Sequence, residues 1–151
     1  MGLRRKGREL VLQALYNLDI NKDYIPPESD ISTPEIYLPV LKNILRANSI
    51  KEDHSISTFS DNLLKTVVEN LIPIDDMIRN RLEHWSIEQL AVLDRNLLRM
   101  AIAEIVYHKT PAPIVINEAL EIAKKFCGEQ TGKLVNGILD GIARERKQED
   151  V

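Results

Sequence analysis

Apolar residues recur at helical spacing along almost the whole chain. Val11, Ala14, Leu15 and Leu18 follow a basic cluster at such steps, and no proline interrupts residues 2–19, which predicts a first helix there. Residues 21–33 read as its exit loop, because Pro26, Pro27, Ser29 and Asp30 fall within them. Thr33-Pro34-Glu35 then has the order of an N-cap, a first-position proline and a first-turn acid, opening a second helix over roughly 34–47. Polar residues 48–58 read as a second loop, and Leu63, Leu64, Val67, Val68 and Leu71 form the stripe of a third helix. Pro73 sits where a new helix can begin, since its missing N–H costs nothing at the first position.

Ser86-Ile87-Glu88-Gln89 has capping-box spacing and is expected to open a long central helix with Leu90, Leu93, Leu97, Ala101 and Ile105 on one face. The Thr110–Pro113 stretch stops it. Ile116, Ala119, Leu120, Ala123 and Phe126 trace another helix ending near Gly128, and a last one runs from about Thr131 past Ile142. No segment alternates with the period of a half-buried strand. The expected fold is therefore all-α, with about seven helices in two small packed subdomains, about 1–72 and 73–147, joined near residues 71–86.

Composition narrows the class. In 151 residues, 44% hydrophobic and 28% charged, the single cysteine cannot form an intramolecular disulfide, and no apolar run of about 18 residues is present to span a bilayer. The basic start leads into a mixed helix instead of a signal-peptide core, so a cytoplasmic protein kept as synthesised is expected. The net charge of -3 hides an asymmetry: Arg4, Arg5, Lys6 and Arg8 against Glu9 give residues 1–16 a charge of +3, leaving -6 on the remainder. An acidic body with a basic prow suits a local grip on a polyanion.

Catalytic chemistry has little to stand on. His54, His84 and His108 form no metal-ligand spacing with each other or with Cys127, and neither glycine-rich phosphate motif is present. No metal, cofactor or catalytic residue is expected. Helical projection puts Asp94 and Glu104 near the Leu97–Ala101 face, where a buried carboxylate needs an arginine or free N–H groups as partner; an acid–base pair is the alternative. On the first helix, Val11, Ala14 and Leu18 point one way, with Gly7 on that side letting another backbone come close. Arg5, Leu12 and Tyr16 line a flank beside Arg8. Cations next to an aromatic suit RNA phosphates and bases, although such cations also serve as plain solubilising charge. The turn from Gly128 to Lys133 offers N–H groups, Thr131 and Lys133 to a phosphate, or simply a cap at Thr131.

Four segments, in order, carry a resemblance: Arg4 through Tyr16, Leu98-Arg99-Met100-Ala101 with Glu104, Pro113–Ala119 running on to Phe126, and Lys133–Asp140. Together they resemble the NusB family of bacterial transcription antitermination factors over nearly the whole chain. The resemblance implies two helical subdomains, no enzymatic activity, and binding of single-stranded boxA RNA of nascent ribosomal RNA transcripts together with NusE, a small-subunit ribosomal protein. It also implies assembly with other Nus factors on RNA polymerase. Carried over by position, it places Arg4, Arg5, Lys6, Arg8, Gln130 and Lys133 on RNA, and Leu12, Tyr16 and Asp94 at the NusE-facing surface. Leu134 stands where many members have Phe, and Gly7 where Ala is common; Asn117, Glu118 and Asn136 match as residues that tie helix ends together.

Two other classes compete. A protein-interaction module without specific RNA binding would use the arginine cluster on acidic partners. A helper domain of an RNA methyltransferase would need a sheet-forming, cofactor-binding segment, and none is present up to Val151. A homodimer hiding the Arg5 and Tyr16 flank is a regulatory option that the sequence leaves open.

Overall fold

The computed structural model describes residues 2–21 and 34–149, with side chains through Lys147. The expected exit loop beyond Asn21 and the Thr33 cap lie outside these residues. Among the described residues the chain forms seven α-helices and no strand: α1 (Gly2–Ile20), α2 (Pro34–Ala47), α3 (Ser55–Glu69), α4 (Leu71–Arg79), α5 (Val92–Val106), α6 (Ala112–Phe126) and α7 (Glu129–Glu149). A single 3-10 turn, Ile87–Gln89, precedes α5. None of these helices is long and apolar enough to cross a membrane. The chain divides into two compact units, Met1–Glu69 and Asn70–Val151.

In the first unit, α1 packs on α2 and α3, which also meet each other. Leu10, Val11, Ala14, Leu15 and Leu18 of α1 are fully buried, as are Tyr37 and Leu41 of α2 and Leu63, Leu64 and Val67 of α3. Pro39 lies inside α2 and removes one ladder donor; burial of Tyr37 and Leu41 on either side of it offsets that loss. Helix α3 starts within the polar stretch expected to be loop. The reason is capping: the Ile56 N–H donates to His54 Nδ1 at 3.0 Å, while the Ser57 hydroxyl ties the helix start back to the preceding turn by donating to the Lys51 carbonyl at 2.6 Å. Residues that look like loop formers are here satisfying the free groups of a helix end.

In the second unit, α5 packs on α4, α6 and α7, and α6 on α7. Pro73 is the third residue of α4, not the first, and still costs no hydrogen bond because first-turn N–H groups have no intrahelical acceptor. The capping box at Ser86 forms, with the Ser86 N–H donating to Gln89 Oε1 at 2.8 Å, but it opens only the 3-10 turn. Leu90 then turns extended, at φ -69° and ψ 147°, and α5 begins at Val92. Leu90 is therefore not on the α5 stripe.

Nor does α5 have one apolar face: every residue from Asn96 to Val106 is buried. With neighbours on several sides, its polar residues must be satisfied internally. Arg99 makes a two-pronged pair with Asp75 of α4, Nε to Oδ1 at 2.8 Å and Nη2 to Oδ2 at 2.9 Å, and its Nη1 donates to Asn96 Oδ1 at 3.0 Å. Glu104 is buried as projected, at 1% exposure. A second arginine ties the segment after α4 to α7: Arg81 donates to the Gly141 carbonyl at 2.9 Å and pairs with Glu145. Glycine at 141 makes room for it, since a Cβ there would lie 2.7 Å from Arg81 Cζ.

Candidate nucleic-acid interface

Each unit presents one surface with the residues expected to bind. On the first, α1 brings four cations into its opening turns with no acid among the first residues, an arrangement its own dipole disfavours. They are not equivalent. Arg4 is exposed and Arg5 and Lys6 are half-buried, whereas Arg8 is 4% exposed. The organiser is Phe59 of α3. Its ring centroid lies 5.4 Å from Arg8 Cζ and 5.7 Å from Arg4 Cζ, within range of a cation–π attraction for both guanidiniums.

Gly7 makes this possible. A Cβ on it would stand 2.8 Å from Phe59 Cδ1, so the close approach expected there is that of a ring and not of a backbone. The Ser60 hydroxyl, at 3.4 Å from the Gly7 carbonyl, adds a long contact. The flank expected beside Arg8 splits in the same way: Leu12 is core at 2% exposure, and Tyr16 stands out at 39%. Arg8 and Leu12 are buried, and Arg4, Arg5, Lys6 and Tyr16 are the members of the set that solvent reaches.

On the second unit the surface is the turn between α6 and α7. The N–H groups of Cys127 and Gly128 both donate to the Ala123 carbonyl, at 2.8 and 3.0 Å, and Gly128 adopts φ +128°, a conformation that favours glycine. This ends α6 and lets α7 restart at Glu129, so Thr131 lies inside the first turn and does not cap it. Its hydroxyl instead donates to Asp94 Oδ1 at 2.9 Å. Asp94 therefore anchors the turn to the start of α5. Gln130 and Lys133 are exposed on it.

Asp94 also decides the character of Cys127. Burial first, and then the charge and hydrogen bond of Asp94, push the thiol up to about 11, the reverse of what a nucleophile needs. Among the described residues no three His, Cys, Asp or Glu side chains form a group able to hold a metal ion.

Asp94 and Gln130 line one open groove of about 570 Å³, which Lys133 does not join. Its most prominent wall was not among the expected site residues: Trp85, 61% exposed. The signal was available, because this is the only tryptophan in the chain and it sits in Glu83-His84-Trp85-Ser86, off every apolar stripe.

The described residues form an all-helical protein with a basic helix start and a groove walled by aromatic and polar groups. The sequence profile of the NusB family matches residues 5–144, and the chain belongs to that family. It is 36% identical to the transcription antitermination protein NusB of Koribacter versatilis, over 95% of this chain and 90% of that protein. Among solved structures it is similar to NusB of T. maritima, with 35% identity and a TM-score of 0.78 over 98% of this chain and 97% of that one. It is also similar to a chain in the crystal structure of the antitermination factors NusB and NusE in complex with dsRNA. There the identity is 27% and the TM-score 0.79, over 96% of this chain and 98% of that one.

Proposed function

We propose that this protein is an RNA-binding transcription antitermination factor of the cytoplasm, without catalytic activity or cofactor. It binds boxA RNA of nascent ribosomal RNA transcripts together with NusE, and joins other Nus factors on RNA polymerase. The observation that carries the reading is the match along nearly the whole chain to a family with a member solved together with NusE and RNA. In this reading Arg4, Arg5 and Lys6 hold phosphates, since they are the cations of α1 that solvent reaches. Gln130 and Lys133 add contacts from the α7 start, and Tyr16 and Asp94 serve the NusE-facing surface. Arg8 and Leu12 act from within, Arg8 by holding the α1 start on Phe59. NusE supplies a second grip on the RNA, and linked binding of this kind raises apparent affinity beyond either component. A homodimer covering Arg5 and Tyr16 would compete with RNA.

The test is fluorescence anisotropy of a short single-stranded boxA-type RNA, a scrambled RNA and a duplex, at two salt concentrations, with and without NusE. Preference for the boxA-type strand that sharpens with NusE is expected. Equal weak binding to all three, unaltered by NusE, refutes the reading and favours a protein-interaction module. RNA that dissociates a homodimer, seen in sedimentation, supports the competition; an unchanged oligomeric state refutes it.

A further inference from the structure

We infer that the groove beside Trp85 takes a single unstacked nucleobase, with the indole of Trp85 as its stacking platform. The inference rests on the RNA-binding reading above and adds to it a residue and a mode of contact. An indole left 61% exposed forgoes most of the benefit of burial, and here it stands on the rim of a concavity within the size range of small-ligand sites. Leu90 and Leu134 give the groove apolar walls, while Asp94, Gln130 and Thr131 place polar groups along it.

That mixture selects the occupant. A phosphate is unsuited, because no lysine, arginine or histidine lines the groove and two carboxylates, Asp94 and Glu129, do. An apolar peptide side chain would cover the carboxylate of Asp94 and the amide of Gln130 without offering them partners, which is costly. A nucleobase meets both demands. Its face stacks on the indole, and its polar edge pairs with the exposed amide of Gln130, which both donates and accepts. The charged backbone then stays outside, where Lys133 is exposed one turn along α7.

Because Trp85 is the only tryptophan, emission excited at the red edge, where tyrosine does not absorb, reports on this groove alone in the full-length protein. Titrating with the short single-stranded boxA-type RNA should quench it. Trp85→Ala should weaken binding of the same RNA by about 5-fold or more, the range for loss of one base–aromatic stack, and Trp85→Phe should restore most of it. The salt slope should not change, since no phosphate contact is lost. The exposed position makes misfolding of these variants easy to exclude by circular dichroism.

Unquenched emission with parent-like affinity of Trp85→Ala overturns the inference while leaving RNA binding intact. Loss of NusE capture with unaltered RNA affinity also overturns it, and assigns the groove to a protein. A parent protein that binds no RNA at all refutes the proposed function instead.

Discussion

The sorting of the α1 cations into three accessible and one buried makes a quantitative claim about salt. Each phosphate neutralised on a single strand contributes about 0.7 to the slope of log affinity against log salt. If Arg4, Arg5 and Lys6 each hold one, Arg4→Gln, Arg5→Gln and Lys6→Gln together should flatten the slope by about 2 units. Over a fourfold rise in salt, the parent should then lose about 20-fold more affinity than the triple variant. Arg8→Gln should behave otherwise. At 4% exposure Arg8 has almost no surface for a phosphate, so the slope should stay near that of the parent. What it loses is the contact 5.4 Å from the Phe59 centroid, worth about 0.5–2 kcal/mol of stability. Anisotropy titrations at four salt concentrations, paired with urea denaturation of each variant, separate the two effects. A triple variant with the parent's slope would show that the α1 start holds no phosphates. An Arg8→Gln variant that loses about 0.7 in slope at unchanged stability would refute the division between accessible and buried cations.

Other expectations follow from the second unit. Asp75→Ala leaves Arg99 charged and enclosed, so it should cost about 3–5 kcal/mol in urea denaturation, whereas Asp75→Leu with Arg99→Met should recover most of that; equal losses in both would contradict a buried pair. Gly141→Ala should destabilise by about 1–3 kcal/mol, because its methyl displaces Arg81 from both partners; a melting temperature equal to the parent's would count against that tie. Alkylation of Cys127 by iodoacetamide should be slow at pH 8, where a thiol with a pKa of about 11 is ionised in only about one molecule in a thousand. Its rate should climb about tenfold per pH unit until near 11. Asp94→Asn removes the charge that helps raise this pKa, so it should speed the reaction at pH 8; an unchanged rate would show that burial alone sets it.

Much of the fold was legible because amphipathic periodicity reports directly on helices with one buried face. Helix α2 occupies residues 34–47 as read from its proline and first-turn acid, and α1 runs one residue past its expected end. Reading failed where a local pattern has two outcomes. The capping box at Ser86 is a hydrogen-bond arrangement that closes a 3-10 turn as well as a helix, and nothing in those four residues chooses between them. The buried pair of Arg99 and Asp75 joins residues 24 positions apart, and periodicity carries no information about such partners. Projection puts Arg8 and Leu12 on one flank with Arg5 and Tyr16 but does not show their burial, because it gives angle around a helix and not how much of the circumference neighbours cover. Phe59, which draws Arg8 inward, lies on another helix. Trp85 belongs to no stripe, so periodicity gives it no place, and only the fold brings it, exposed, to the groove.

Helix α5 has a bearing on how this sequence can drift. A helix with a wet side can exchange residues there at little cost, but the 11 consecutive positions from Asn96 to Val106 have none to offer. Every replacement among them changes volume or charge in an interior packed about as densely as a crystal, and typical costs of one or more kcal/mol accumulate quickly against marginal stability. In a saturation library sorted for soluble expression, these positions should form an unbroken depleted block. Tolerated variety should collect on the outer sides of α2 and α6, where Lys42, Asn43, Lys124 and Lys125 face water.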